Sequence, residues 1–190
     1  MTHTNLPEPL KRFVNEVNAL LETERDESSL LPKVGGSMRE LVASDDWLDP
    51  EFARPHPQYY QQYLLYADPD DRFSVVSFVW GPGQHTPIHD HTVWGVIGML
   101  RGAELAQSYE ISGDGIPKPV AEEIRLTPGD VEFVSPGIGD VHKVKNAHED
   151  QVSISIHAYG ANIGKVSRHV FPPEGGEPRV FISGYSNTER

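Results

Sequence analysis

His89, Asp90 and His91 stand together, and His142 follows fifty-one residues after the last of them. Imidazole is a good ligand for divalent metals, and three imidazoles make a site that keeps positions open for other ligands. On a β-strand the side chains at i and i+2 share a face, so His89 and His91 can reach one ion while Asp90 turns away. His142 completes the trio. The bland alternative is a surface strand with two solvated histidines, which leaves His142 unexplained. The chain has no cysteine, so a metal must sit on nitrogen or oxygen, and neither a disulfide nor a thiolate nucleophile is available. Three neutral histidines leave an ion its full charge and about half of an octahedral shell free. That suits ferrous oxygen chemistry, and it suits zinc hydrolysis as well.

A second constellation lies on one predicted strand. Ser155, His157 and Tyr159 alternate with Ile154, Ile156 and Ala158, so the polar three share one face and the apolar three the other. A buried polar trio is costly unless its members hydrogen-bond one another. As a relay from Ser155 through His157 to Tyr159 they can, and the relay would end in a phenol near the metal. Alternation fixes the set but not which face is inside. An outward polar face over an isoleucine core fits equally well at this point.

These groups need a scaffold. Leu10, Phe13, Val14, Val17, Leu20 and Leu21 recur at helical spacing and predict an amphipathic helix over residues 7–25. A second helical stretch covers 30–44, interrupted by Gly35-Gly36, and 48–57 reads as a loop. From residue 59 the pattern changes to short β runs between Gly, Pro and Asp turns. The strands expected are 59–66, 72–79, 92–101, 105–110, 120–126, 130–134, 142–146, 151–159 and 179–182, with a rigid loop over 171–178. This spacing suggests a closed barrel or jelly roll. Residues 1–50 then form a helical extension on a barrel of residues 51–190, one structural domain overall. Trp80 is expected in the core and Trp94 in the core or pocket wall. His85 reads as a solvated loop residue, and His3, His56, His148 and His169 as surface or structural histidines.

The formal net charge of −12 over 190 residues argues against nucleic acid and anionic membranes as partners. It also means that an anionic substrate needs a local cationic anchor. The start, MTHTNLPEPL, lacks the basic and apolar regions of a signal peptide. No apolar run approaches the ~20 residues of a membrane span. A cytoplasmic location is expected.

The flanking residues carry a family resemblance. Gly83, five residues, His89, one residue, His91, three residues, Gly95, six residues and Gly102 resemble the first cupin motif, with Gly95 where that motif has a glutamate ligand. Gly129, Pro136, Gly139, His142 and Asn146 resemble the second, shifted by one residue around the proline. Together with Ser155-x-His157-x-Tyr159, they make the chain similar to the thiol dioxygenases of the cupin superfamily. It is most similar there to the bacterial 3-mercaptopropionate dioxygenases, from the N-terminal helices to about Ile182. The resemblance implies an all-β double-stranded β-helix (jelly-roll) barrel with N-terminal helices. It implies one Fe(2+) on His89, His91 and His142, with Ser155, His157 and Tyr159 as an outer relay. The substrates would be O2 and a small thiol carboxylate, 3-mercaptopropionate, giving 3-sulfinopropionate.

Two departures from the animal cysteine dioxygenases matter. Those enzymes cross-link their tyrosine to a cysteine near the position of Gly95 or Val96, which a cysteine-free chain cannot do. They also hold the substrate carboxylate with a first-strand arginine, where this chain reads Tyr60-Gln61-Gln62-Tyr63 and Gln62 is the equivalent. The resemblance moves the anchor to Arg168, which by itself reads as a solvated loop arginine. The alternatives are a cysteine dioxygenase giving cysteine sulfinate, or a non-oxygenase metal-binding cupin. The latter would be a zinc or manganese hydrolase or isomerase, or a sensor.

Overall fold

Two helices open the chain in the computed structural model, which describes residues 6–188. In α1 (Glu8–Thr23) Leu10, Phe13, Val14 and Val17 form the buried stripe, and a proline stands in the first turn, where its missing N–H has no intrahelical partner to lose. The second helix, α2 (Glu27–Leu41), runs unbroken through Gly35-Gly36, where the sequence suggests an interruption. The glycine has another reason to be there. A Cβ on Gly35 would lie 2.5 Å from the Phe133 ring, so its absence lets the helix approach the barrel wall.

The strands follow as β1 (Gln61–Ala67), β2 (Ser74–Trp80), β3 (Ile88–His89), β4 (Gly95–Arg101), β5 (Glu104–Ile111) and β6 (Pro117–Pro119). They continue as β7 (Ile124–Leu126), β8 (Val131–Val134), β9 (Val141–Asn146), β10 (Ser153–Tyr159), β11 (Arg168–Phe171) and β12 (Arg179–Phe181). One sheet has the order β1-β2-β10-β4-β8; the other runs β12-β11-β3-β9-β5-β6, with β7 on β5. The pairings are antiparallel. This two-sheet, antiparallel arrangement is the expected double-stranded β-helix, with two helices added at the N-terminus. Strands β3, β6 and β11 go beyond the sequence expectation. Two or three residues are too few to show a period, and β6 starts and ends on proline.

The helices explain why β10 is buried on both faces. Ile154, Ile156 and Ala158 join Leu10, Phe13, Val34 and Met38 in one hydrophobic cluster outside the sheet. Ser155, His157 and Tyr159 therefore project into the barrel. Gly98 on β4 is the tightest point of that docking, since a Cβ there would meet Met38 Cγ at 2.6 Å and Val42 Cγ1 at 2.9 Å. Gly98→Val should lower the unfolding free energy by about 1–3 kcal/mol through overpacking. Gly36→Ala, with nothing within 4 Å of the new Cβ, should instead gain about 0.5–1 kcal/mol of helix propensity. Urea unfolding of the two variants reads both.

Candidate metal centre

His89 and His142 face each other as register partners between β3 and β9. Their ring centroids are 4.9 Å apart, and His91 lies 4.9 Å from the first and 4.7 Å from the second. One nitrogen from each of these buried rings lies within 4.8 Å of the others, as ligation of one ion requires. The expectation that His89 and His91 share a strand is not met: β3 ends at His89. His91 reaches the same point from the following loop, so something other than strand alternation must aim it.

That something is Asp140, a residue the sequence reading passed over although it stands two places before His142. Its carboxylate accepts the backbone N–H of His91 at 3.1 Å and that of Thr92 at 2.8 Å. It also accepts His91 Nδ1–H at 3.1 Å, a proton shared with its own carbonyl oxygen. Burial alone would raise the Asp140 carboxyl, but these donors hold it below its usual range. The clamp also secures a strained neighbour, for Thr92 has φ +61, a left-handed conformation that β-branched residues avoid.

The second nitrogens fit a metal. His89 Nδ1–H donates to the Pro87 carbonyl at 3.0 Å, which leaves Nε2 with a free lone pair, as it does in His91. His91 Nε2 and His142 Nδ1 are buried without a hydrogen-bond partner. Burial pushes His89 down to about 3 and His142 well below the usual histidine range. Both are therefore neutral donors at neutral pH.

Ser155, His157 and Tyr159 make the chain that their alternation suggested. Ser155 Oγ lies 2.8 Å from His157 Nε2, and His157 Nδ1 lies 2.8 Å from Tyr159 Oη. Trp80, expected only to fill the core, also donates its indole N–H to Ser155 Oγ at 3.3 Å. The Tyr159 ring stacks on His91 at 5.5 Å, which brings the phenol to the metal ligands. Burial raises its pKa well above the ordinary phenol value and lowers that of His157. The pair is a neutral phenol and a neutral imidazole. Gly95 matters here in a way its spacing does not reveal. A Cβ at Gly95 would lie 2.9 Å from Tyr159 Cε1 and 2.8 Å from Val134 Cγ2. The absent side chain makes room for the phenol ring.

Arg168 is a buried strand residue, not a solvated loop residue: it is 3% exposed and sits on β11. Val170 is the register partner of His89, so Arg168, two residues away, lies on the histidine face of that sheet. One Nη donates to Ser183 Oγ at 2.7 Å, and the guanidinium stands 4.6 Å from the Phe181 ring centre. Its Nε has no partner, and no carboxylate pairs with it among the described residues. Gln62 is buried and donates its amide to the same Ser183 Oγ and to the Gly184 carbonyl, both at 3.2 Å. Both predicted substrate contacts thus converge on Ser183. Tyr60 packs on Trp80 at 4.9 Å, and burial raises its phenol above the ordinary value against the opposing charge of Arg168.

The other described histidines stay outside. His85 is exposed, His56 stacks on Tyr59, and His169 is tied by Asp90, which accepts its backbone N–H at 2.7 Å and its ring N–H at 2.8 Å. Asp90 thus turns away from the metal ligands. His3 lies outside the described residues.

A family model described as cysteine dioxygenase type I matches residues 37–170. Among solved structures, the chain is similar to a conserved protein with a double-stranded β-helix domain from Klebsiella pneumoniae. That match has 19% identity over 68% of this chain and 99% of the other, with a TM-score of 0.48. A cupin superfamily protein from Desulfitobacterium hafniense matches at 12% identity over 62% and 94%, with a TM-score of 0.46. A Thermus thermophilus protein matches at 20% identity over 59% and 92%, with a TM-score of 0.46.

If Asp140 aims His91, Asp140→Ala should weaken metal binding about 10–100-fold while the chain still folds. Metal titration of the refolded apoprotein measures this, and unchanged affinity would remove the clamp from the account.

Proposed function

This chain belongs to the cysteine dioxygenase type I family. From that premise we propose that it is a non-haem iron(II) thiol dioxygenase that converts 3-mercaptopropionate and O2 into 3-sulfinopropionate. The reaction balances within its two substrates. Sulfur loses four electrons and dioxygen gains four, and both oxygen atoms end on sulfur, so no external reductant is consumed. Iron held by His89, His91 and His142 would supply one centre at which a thiolate and dioxygen can meet.

The observation that carries the choice of a thiol bearing a carboxylate is Arg168. A buried guanidinium with no carboxylate partner is a costly arrangement unless a ligand supplies the anion. A substrate carboxylate does so, through two parallel N–H···O bonds. Gln62 stands where the animal enzymes carry arginine and is bonded to the backbone and Ser183 instead, so one cation serves one carboxylate. A thiol with a carboxylate and no amine needs nothing more. Tyr159, neutral and held by His157, donates or accepts a hydrogen bond beside the reacting sulfur, and Ser155 fixes the imidazole. The barrel interior around them excludes bulk water, which strengthens each of these interactions. L-Cysteine, the substrate in the family's description, is the second reading.

The direct test is O2 uptake by the Fe(II)-loaded protein with 3-mercaptopropionate and, separately, with L-cysteine. Uptake matched one-to-one by sulfinate, with a higher kcat/KM for 3-mercaptopropionate, is expected. Preference for cysteine would retain the reaction and the carboxylate contact and overturn the choice of the amine-free thiol. No uptake at confirmed iron occupancy would favour a zinc, manganese or sensor cupin. Tyr159→Phe should keep its iron and lose about 100-fold in kcat. Arg168→Ala should raise KM by about 10–100-fold, the worth of a charge-assisted hydrogen bond, with a smaller effect on kcat.

A further inference from the structure

Glu104 carries a buried carboxyl group that the reaction above leaves unused. It is 0% exposed, and neither carboxylate oxygen has a hydrogen-bond partner. It opens β5, where its register partners are Asn146 of β9 and Leu126 of β7. Leu126 packs in one buried cluster with Met99 and Ile97, the register partners of Ser155 and His157. This sets Glu104 across the barrel from the relay. Ser155 and Trp80 are the donors that act on its ionisation, though neither completes a hydrogen bond to it.

We infer that Glu104 is the end group of the Ser155–His157–Tyr159 chain, and that the proton on its carboxyl sets the direction of every hydrogen bond in it. With Glu104 protonated, its O–H donates to Ser155 Oγ, Ser155 donates to His157 Nε2, and His157 Nδ1–H donates to Tyr159 Oη. The phenol O–H is then free to donate toward a ligand on the metal. With Glu104 ionised, Ser155 donates to the carboxylate, His157 Nε2–H donates to Ser155, and Tyr159 gives its proton to His157 Nδ1. The phenol oxygen can then only accept. In both states Ser155 Oγ accepts from Trp80 and keeps one donor and two acceptor bonds, so neither direction strands a polar atom.

The surroundings allow this exchange at neutral pH. Burial first, opposed by Ser155 and reinforced by Glu132, pushes Glu104 up to about 7, and burial does the same to Glu132. Glu132 faces the relay from β8, where its register partner Ile97 pairs in turn with His157. Among the described residues, no cation on the neighbouring strands offsets either carboxylate. Lys145 and Arg125 are register partners of Leu105 and so project to the opposite face, where Lys145 pairs with Glu123 at 3.6 Å. Glu104 acts through Ser155 and His157, so it is a positioning residue. The inference rests on the reading that Tyr159 meets the bound ligands.

The test reads the His157 tautomer by NMR of ring-nitrogen-labelled histidine in the Zn(II)-loaded, diamagnetic protein. The wild type should pass from Nδ1–H to Nε2–H as pH rises, with a midpoint near the Glu104 value of about 7. Glu104→Gln should show one tautomer distribution at all pH values, and Glu132→Gln should move the midpoint to lower pH. A wild-type tautomer that does not respond to pH, or a response that survives Glu104→Gln, overturns the inference. In the Fe(II) enzyme, kcat should fall about tenfold as pH rises through the same midpoint, the worth of one hydrogen bond, and Glu104→Gln should lose that limb. Absence of thiol oxidation in the wild type would refute the proposed reaction and leave the tautomer test standing.

Discussion

A buried barrel interior must hold a guanidinium and three metal-binding imidazoles, and the rest of the site follows from how their charge is managed. An uncompensated ion in such a place is unfavourable by several kcal/mol. The protein answers in two ways. His89 and His142 stay neutral because burial disfavours their protonated forms, and neutrality is the state that binds a metal. Arg168 cannot lose its charge, so it borrows a hydroxyl from Ser183 and the face of Phe181 while its Nε remains unpaired. Among the described residues no carboxylate completes it, and in the proposed reaction the substrate would supply one.

The N-terminal helices belong to the same logic. They cover the outer face of the sheet that carries β10, which frees the inner face for polar side chains. Without that cover, Ile154 and Ile156 would have to turn inward, and Ser155, His157 and Tyr159 would face solvent. Glycines at 35 and 98 permit the close helix contact, and glycine at 95 gives Tyr159 its place beside His91. Three small residues thus connect a packing decision outside the barrel to a hydrogen-bonded chain inside it.

Much of this was legible in the sequence, and the gaps have physical causes. The metal trio was visible because ligand chemistry is restricted to few residue types, and the relay because period 2 places its members on one face. Which face is inside could not be read from alternation, since the helices bury both. His91 was assigned to a strand that ends at His89, because the actual device, the Asp140 clamp, works through backbone N–H groups that leave no periodic trace. Arg168 looked like a loop residue because β11 is only four residues long. Glu104 gave no signal at all, since a glutamate beginning a strand after a Gly-Ala turn reads as solvated.

The central claim is that the Arg168 charge is completed by the carboxylate of the substrate. The measurement that meets it most directly is equilibrium binding to the Fe(II)-loaded protein without oxygen, comparing 3-mercaptopropionate with propanethiol. The two share a thiol and a three-carbon chain and differ in the carboxylate. The account predicts a Kd at least about tenfold lower for the carboxylate thiol, the worth of a charge-assisted hydrogen bond. Equal affinity for the two would contradict it.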